Sequence, residues 1–188
     1  MIDLVRTHIN RHLKVANSLH DLSELIVKCS ELCIQSLKKD GKIILFGNGG
    51  SAADAQHIAA ELVGRYKINR KALSAIALTT DTSTLTSIAN DFGYEHIFAR
   101  QVEALANEGD IVIGISTSGT SSNVIKAFKV ASNLGCTIIG LSGHNSLEMD
   151  KLCNINIAVP STETATIQEI HIIIGHTICM LIENELTN

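Results

Sequence analysis

The stretch that decides the fold is Lys42-Ile-Ile-Leu-Phe-Gly-Asn-Gly-Gly-Ser51, in which a short apolar run ends in a cluster of glycines. The apolar run is rich in side chains that favour β-structure, and it is too short for a typical helix. Its unbroken apolar character predicts a strand covered on both faces, as in a parallel sheet. The glycines allow a tight turn, so the stretch predicts a strand–turn–helix junction.

Runs of the same kind recur along the chain and alternate with helical stretches. Further strands are predicted at 73–78, 111–116, 137–141 and 155–159. Helices are predicted between them at about 52–65, 94–106 and 121–134, and Gly109 and Gly135 stand at helix ends, as C-caps would. Because strands that alternate with helices are joined by crossovers, we predict an α/β fold, a doubly wound three-layer sandwich with a five-stranded parallel sheet.

Long helices are predicted at both ends of the chain. Residues 2–39 carry apolar side chains at helical spacing and end at the helix-stop signal Asp40-Gly41. The last helix, at about 164–185, carries many isoleucines and is apolar around most of its circumference. A helix of that kind is buried on several sides, so the two helices predict a homo-oligomer. The alternative is that both helices simply cover the sheet.

Composition excludes several classes of protein. The length of 188 residues suits one domain with a sizeable core. A net charge of −4, without a block of like charges, disfavours nucleic acid as a partner, because such binding needs basic side chains to neutralise phosphates. We find no secretory signal pattern at the start and no apolar run of membrane-spanning length, which predicts a cytoplasmic protein without a membrane partner. Five cysteines without a C-x-x-C pair argue against a zinc ribbon, and Cys29 and Cys33 are predicted as core thiols.

The segment Gly47-Asn-Gly-Gly-Ser-Ala52 is a candidate ligand turn. A helix that starts there offers free N–H groups to an anion, and Ser51 is predicted to cap it with Asp54 as the capping-box partner. The glycine spacing also matches a dinucleotide fingerprint. However, the acidic residue expected about twenty residues later is missing and no Walker lysine follows, so we predict no nucleotide cofactor. A tight turn without a ligand is the alternative.

A second junction is Ser116-Thr-Ser-Gly-Thr-Ser-Ser122, which places six hydroxyl side chains around one glycine. Hydroxyls and backbone amides donate hydrogen bonds to phosphate oxygens without a basic side chain. Both junctions follow strands, and ligands of open α/β sheets bind at the carboxyl ends of strands. The sequence therefore predicts a phosphate site here, and the alternative is a polar loop with a helix cap.

Two pairs of polar residues share helix faces. His57 and Glu61 lie four residues apart on the helix after the glycine turn, and Gln168 and His176 lie eight apart on the last helix. Polar side chains among isoleucines need partners, so these residues are candidates either for catalysis or for ordinary helix–helix hydrogen bonds. The segment Asn90-Asp91-Phe92-Gly93 is interpreted as a helix cap and turn, or as a polar loop that reaches sugar hydroxyls.

Together these motifs resemble the sugar isomerase (SIS) domain of phosphoheptose isomerases. The resemblance is carried by residues 47–57, by Glu61-Leu-Val-Gly-Arg65, by residues 78–91, by Gly114-Ile-Ser-Thr-Ser-Gly119, and by Ile167-Gln-Glu-Ile-His171 with His176. It covers nearly the whole chain and implies a single SIS domain over 1–188, with an N-terminal helical extension at about 2–39. In that family a basic residue often precedes the Ile-Gln-Glu run, whereas here the position holds Thr166.

The resemblance implies an isomerase that interconverts sedoheptulose 7-phosphate and D-glycero-D-manno-heptose 7-phosphate through an enediol(ate). This reaction is the first step toward nucleotide-activated heptose (ADP-heptose) for lipopolysaccharide or capsule. The resemblance also implies a homotetramer with active sites shared between subunits. A second hypothesis is a non-catalytic SIS-domain regulator that binds the replication initiator protein. A third, a nucleotide-dependent oxidoreductase, rests only on the glycine spacing.

The resemblance also implies roles for individual residues. Phosphate would be held by Ser51, Ser116, Thr117, Ser118 and Ser121, and the sugar would be lined by Asn48, Gly49, Gly50, Asn90 and Asp91. Glu61 resembles the base that moves a proton between C1 and C2, with His176 as the partner acid/base and Gln168 as a residue that orients the substrate. Some relatives bind zinc through the positions of His57, Glu61, Gln168 and His176, although a glutamine amide is an unusual zinc ligand.

Overall fold

A five-stranded parallel sheet lies at the centre of the structure, a computed structural model that describes residues 1–187. The strands are β1 Ile43–Gly47, β2 Ala75–Ala77, β3 Ile111–Ser116, β4 Thr137–Ser142 and β5 Ile155–Ala158. Their spatial order is β2-β1-β3-β4-β5, and the register pairs Gly47 with Ile115. The order reverses between β1 and β3, and ligands bind at such a switch point in open α/β sheets. The predicted fold is confirmed, although β2 is shorter than the predicted strand.

Eight α-helices connect or flank these strands within residues 1–187. They are α1 Ile2–Asn17, α2 Ser23–Lys38, α3 Gly50–Val63, α4 Thr82–Phe92, α5 Ala99–Leu105, α6 Ser122–Asn133, α7 Leu147–Asp150 and α8 Thr164–Thr187. Short 3-10 helices span Ser18–Leu22 and Tyr94–His96. The first of these divides the single helix predicted over 2–39, because the chain turns there so that α1 and α2 can both pack on α8.

Helix α4 is absent from the sequence prediction. Its first half is rich in threonine and serine, which have low helix propensity, so the local pattern is weak. The helix starts because Asp81 caps it, its side chain accepting a hydrogen bond from the backbone N–H of Thr84 at 3.0 Å. Asn90 and Asp91 form the last turn of α4, and Gly93 ends the helix at a φ of +94°. The structure thus favours the helix-end interpretation of the segment 90–93.

The two faces of the sheet bury separate hydrophobic cores. Alternation along β1 sends Ile43 and Leu45 to one core and Ile44 and Phe46 to the other, and all four side chains are fully buried. The first core includes apolar residues of α2, α3 and α8, and the second includes apolar residues of α5, α6 and α7. This arrangement gives the predicted three layers. Cys29 and Cys33 are fully buried in the first core, as predicted.

Helix α8 is long and apolar enough to cross a membrane by length and composition, which corrects the prediction that the chain has no such run. Half of its apolar stretch is buried inside the chain. Ile167, Ile170, Ile174, Ile178 and Ile182 form a buried stripe at spacings of three and four, and the helix packs on α2 and α3. The apolar character of the buried side of α8 is therefore explained by its position as a core helix.

Candidate active site

The glycine turn joins β1 to α3. Gly49 occupies the N-cap position with a φ of +56°, a conformation that side chains rarely adopt, and Gly50 is the first residue of the helix. The prediction that Ser51 caps the helix was wrong, because the helix begins one residue before it and no side chain caps it. Ser51 instead lies buried in the first turn, where its N–H bonds the carbonyl of Asn48 at 3.0 Å.

Helix α8 brings Gln168 to this turn. A Cβ added at Gly50 would lie 2.6 Å from Nε2 and 2.7 Å from Oε1 of Gln168, so only glycine leaves room for the amide in its present position. Gln168 is half-buried and therefore remains accessible to a ligand on the turn. The two helices that carry the predicted polar pairs thus meet at the candidate ligand site.

His57, Glu61 and His176 form one cluster. Nε2 of His57 lies 2.8 Å from Nε2 of His176 and 3.3 Å from Oε1 of Glu61, and one ligand atom from each residue falls within 4.8 Å of the others. The side chains of His57 and Glu61 are 49% and 21% exposed, so the cluster faces solvent in the isolated chain. Glu61 and His176 therefore lie together within one chain, and a carboxylate and imidazoles at this distance can accept and donate protons.

The hydroxyl loop after β3 draws its side chains together. Oγ of Ser116 lies 2.8 Å from Oγ of Ser121 and 3.4 Å from Oγ of Ser118. Oγ of Ser118 also accepts hydrogen bonds from the N–H of Thr120 at 3.2 Å and from its hydroxyl at 3.1 Å. The loop continues directly into α6, whose N-terminal N–H groups add to the positive potential. This arrangement suits a phosphate group, and Thr117 lies in the same loop.

A pair of asparagines links the glycine turn to the hydroxyl loop. Nδ2 of Asn48 donates to Oδ1 of Asn123 at 2.9 Å, and Nδ2 of Asn123 donates back to Oδ1 of Asn48 at 2.8 Å. The hydroxyl of Tyr94 also donates to Oδ1 of Asn48 at 3.0 Å. Sequence reasoning missed Asn123 and Tyr94. The position of Asn123 directly after the hydroxyl run was an available signal, whereas the contact of Tyr94 depends on the fold.

The predicted sugar-lining residues divide into two groups. Asn48 and Gly49 line a cavity of about 120 Å³ together with Ala52, Thr79 and Tyr94. Asn90 and Asp91 instead are exposed at the end of α4, where Nδ2 of Asn90 donates to a carboxylate oxygen of Asp91 at 2.8 Å. The cavity thus adjoins the glycine turn, and the roles of both groups in lining the sugar stay predictions.

Asp54 is a further polar residue that the sequence treated only as a capping partner. Its Oδ2 is buried and has no hydrogen-bond partner among the residues described. Burial raises the pKa of this carboxyl to about 6, and the nearby His57 partly offsets the shift. The residue lies on α3 between Ser51 and His57 in the sequence.

Comparison with known proteins agrees with this geometry. A sequence profile of the SIS domain matches residues 9–143. The chain is 57% identical over 183 residues to a phosphoheptose isomerase from Campylobacter jejuni, which covers 97% of this chain and 98% of that protein. It is 54% identical over 185 residues to a phosphoheptose isomerase from Aliarcobacter butzleri, covering 98% of both chains. The chain belongs to the phosphoheptose isomerases of the SIS domain family.

Solved structures lead to the same family. The structure of phosphoheptose isomerase GmhA from Neisseria gonorrhoeae has a TM-score of 0.92 to this chain at 42% identity, covering 97% of this chain and 98% of that one. A phosphoheptose isomerase from Francisella tularensis has a TM-score of 0.93 at 33% identity, with the same coverage. The protein is accordingly an isomerase, and the regulator hypothesis is not favoured.

Proposed function

We propose that the enzyme interconverts sedoheptulose 7-phosphate and D-glycero-D-manno-heptose 7-phosphate. The single observation that carries the proposal is the cluster of His57, Glu61 and His176. It involves the helix that starts at the glycine turn, and Asn48 of that turn hydrogen-bonds to Asn123, directly after the hydroxyl loop. Such a site has proton-transferring groups at one end and phosphate-binding groups at the other. The names of the relatives supply the heptose phosphate as the substrate class.

In the proposed mechanism, Ser51, Ser116, Thr117, Ser118 and Ser121 hold the phosphate, and Asn48, Gly49, Gly50, Asn90 and Asp91 line the sugar. Fixing the phosphate places the C1–C2 end of the sugar beside the proton-transferring cluster, which removes much of the entropic cost of the reaction. Glu61 removes a proton next to the carbonyl and returns it to the neighbouring carbon through an enediol(ate). His176 exchanges protons with the oxygens or assists ring opening, and Gln168 orients the substrate.

Zinc fits the same residues. Two tetrahedral zinc ligands at about 2.0–2.1 Å from the metal lie about 3.3 Å apart, which matches the 3.3 Å between His57 and Glu61. The 2.8 Å between the two imidazoles requires only a small separation of the rings. Gln168 would be the fourth ligand, and a bound zinc ion would supply a Lewis acid to polarise the substrate oxygens. A carboxylate has two oxygens, so metal binding through one leaves the other of Glu61 for the proton.

The rest of the proposal concerns the setting of the enzyme. We propose that residues 1–188 form a single SIS domain that assembles into a cytoplasmic homotetramer and supplies heptose for lipopolysaccharide or capsule. The tetramer is supported by large apolar side chains exposed on α1, among them Ile2, Val5, Ile9 and Leu13. It is also supported by the exposure of His57, because a neighbouring subunit would shield the reaction from water.

The test of the function is direct. Purified protein is mixed with sedoheptulose 7-phosphate, and appearance of the aldose is followed by NMR. The wild type is expected to reach an equilibrium mixture, while Glu61→Gln is expected to lower kcat by about 10²–10⁴-fold because it removes the proposed base. Absence of exchange by the wild type, or full exchange by Glu61→Gln, would contradict the proposal.

The zinc assignment has a test of its own. Protein purified without chelator is expected to contain zinc by elemental analysis, and His57→Ala is expected to bind added zinc at least about tenfold more weakly by calorimetry, because one ligand is lost. His20→Ala is the control, since His20 is exposed and lies outside the cluster. Equal zinc affinity in both variants would remove His57 from the metal site.

A further inference from the structure

A buried ion pair joins α8 to the loop that follows α3. Nε of Arg70 lies 3.2 Å from Oε2 of Glu183, and the two side chains are 4% and 2% exposed. Burying two charges is costly, and well-packed apolar residues often replace such pairs without loss of stability. Despite this short distance, Nε of Arg70 makes no hydrogen bond within residues 1–187, so the contact is an ion pair only. The hydrogen bonds that the two side chains make to backbone groups indicate a role beyond stability.

Glu183 holds the first residues of the loop. Its Oε1 accepts hydrogen bonds from the N–H groups of Lys67 at 2.7 Å and Ile68 at 2.8 Å, and its Oε2 accepts one from Tyr66 at 3.0 Å. Three consecutive backbone donors on one carboxylate fix the course of the chain just beyond α3. The ring of Tyr66 then lies 5.7 Å from the ring of His176, measured between centroids.

Arg70 holds the end of α3 itself. Its Nη2 donates to the backbone carbonyl of Glu61 at 2.9 Å, and its Nη1 donates to the carbonyls of Leu62 at 2.9 Å and Lys71 at 3.0 Å. The last carbonyls of a helix lack partners within the helix, and a guanidinium is well shaped to satisfy several of them. The backbone of Glu61 is thereby tied to α8, the helix that also carries His176.

We propose that Arg70 and Glu183 are positioning residues that set the carboxylate of Glu61 and the imidazole of His176 in register. The proposal rests on the function proposed above. His176 and Glu183 lie seven residues apart on α8, about two turns, so they share a face of the helix. One ion pair thus fixes the backbone of Glu61 directly and one side of His176 through Tyr66. The hydroxyl loop lies between β3 and α6, and Ser51 lies in the first turn of α3, at the opposite end from the carbonyls that Arg70 binds. We therefore expect the phosphate contacts to persist without the pair.

The experiment compares Arg70→Lys and Glu183→Gln with the wild type as purified, at equal measured zinc content. Glu185→Gln is the matched control, because Glu185 pairs with Lys38 on the exposed side of the same helix, at 2.7 Å and 56% exposure. The readouts are kcat and KM for sedoheptulose 7-phosphate, and the ¹³C–¹H signal of the His176 ring, assigned through its loss in His176→Gln.

Both test variants are expected to lower kcat by about tenfold or more, because small misplacements of catalytic groups are costly in rate. The KM is expected to stay within about threefold, since the phosphate contacts are unchanged. The His176 signal is expected to shift in both variants and to stay in place in Glu185→Gln. If Glu183→Gln does not fold, the proposal is tested with Arg70→Lys alone, because this variant keeps the buried positive charge.

Wild-type kcat with an unmoved His176 signal, together with a lower melting temperature, would assign the pair to stability alone and overturn the proposal. A rise in KM that accounts for the whole loss of kcat/KM would also overturn it. If the wild type does not interconvert the heptose phosphates, the proposed function fails. The His176 signal then still shows whether Arg70 and Glu183 hold that side chain.

Discussion

At the scale of single residues, the sequence named most of the candidate site but not its internal contacts. Residue types and motif resemblance were sufficient to nominate Glu61, His176 and the hydroxyl loop as candidate site residues, because each belongs to a recognisable local pattern. Asn123, Tyr94 and Tyr66 were missed, because their importance lies in partners between 46 and 110 residues away along the chain. The unpaired oxygen of Asp54 likewise becomes visible only once burial is known.

Gly50 offers a test at the same scale. Gly50→Ala would place a methyl group 2.6 Å from Nε2 of Gln168 and displace that side chain. Helix propensity favours alanine by about 0.5–1 kcal/mol, so the melting temperature should not fall appreciably. We expect kcat/KM to fall by about tenfold or more, because a group that orients the substrate is misplaced.

A double-mutant cycle supplies the control for this prediction. In a Gln168→Ala background, Gly50→Ala is expected to have little further effect, because the side chain that it displaces is already gone. The measurements are steady-state kinetics and thermal unfolding of the two single variants and the double variant. Additive losses in the cycle would mean that Gly50 acts through something other than Gln168.

At the scale of elements, the site depends on how α3 and α8 pack against each other. The sequence predicted both helices and the residues on them, but α8 reads as apolar on nearly every side, so its contact face could not be predicted. In the structure α8 contributes its isoleucine stripe to the core, and Gln168 and His176 to the candidate site. The same helix carries His171, which is fully buried with Nε2 at 3.1 Å from the carbonyl of Ser142 and with Nδ1 unpaired among the described residues.

His171 predicts a pH dependence of stability. Burial lowers the pKa of His171 to about 4, whereas an unfolded histidine has a pKa of about 6.5. Between these values the unfolded chain binds the extra proton, so stability falls as the pH drops from about 6.5 to about 4. The full effect is on the order of 3 kcal/mol. We expect the free energy of unfolding of the wild type, measured relative to that of His171→Asn, to fall as the pH drops through this window.

The comparison with His171→Asn is needed because Asp54 changes the stability with pH in the direction opposite to His171. Its pKa is raised to about 6 in the folded chain, so its contribution to stability is present at low pH and is lost as the pH rises through 6. Urea denaturation at several pH values separates the two effects, because Asp54 is common to both proteins. Parallel curves for wild type and variant would show that His171 binds protons equally in the folded and unfolded chains, which would contradict the prediction.

At the scale of the whole molecule, the apolar residues left uncovered lie mainly outside the sheet. On α1, the side chains of Ile2, Val5, Ile9 and Leu13 are between 49% and 69% exposed and lie on one side of the helix. Helix α1 is held on the chain by polar contacts, in which Arg11 pairs with Glu163 and Nδ1 of His12 lies 2.7 Å from Glu169. Its apolar side is therefore free to pack on another subunit.

This surface gives a prediction about assembly. Ile9→Lys is expected to shift the protein from the proposed tetramer to smaller species in sedimentation experiments, because a charge in an apolar interface is costly. Activity per subunit should fall with dissociation if the site is completed by a neighbour. Leu147→Lys is the control, since Leu147 is 77% exposed on α7. An unchanged mass for Ile9→Lys would exclude the α1 stripe as the interface.

The sequence by itself determined the α/β class, the parallel sheet, the two candidate ligand junctions and the residues of the proposed proton-transferring cluster. These follow from local periodicity, turn chemistry and motif resemblance, which act over a few neighbouring residues. Only the tertiary structure decided where α3 begins, that α4 exists, how Asn48 meets Asn123, and that Arg70 and Glu183 tie the end of α3 to α8. The physical reason is that these features depend on burial and on partners distant in sequence, and neither can be predicted from a local sequence pattern.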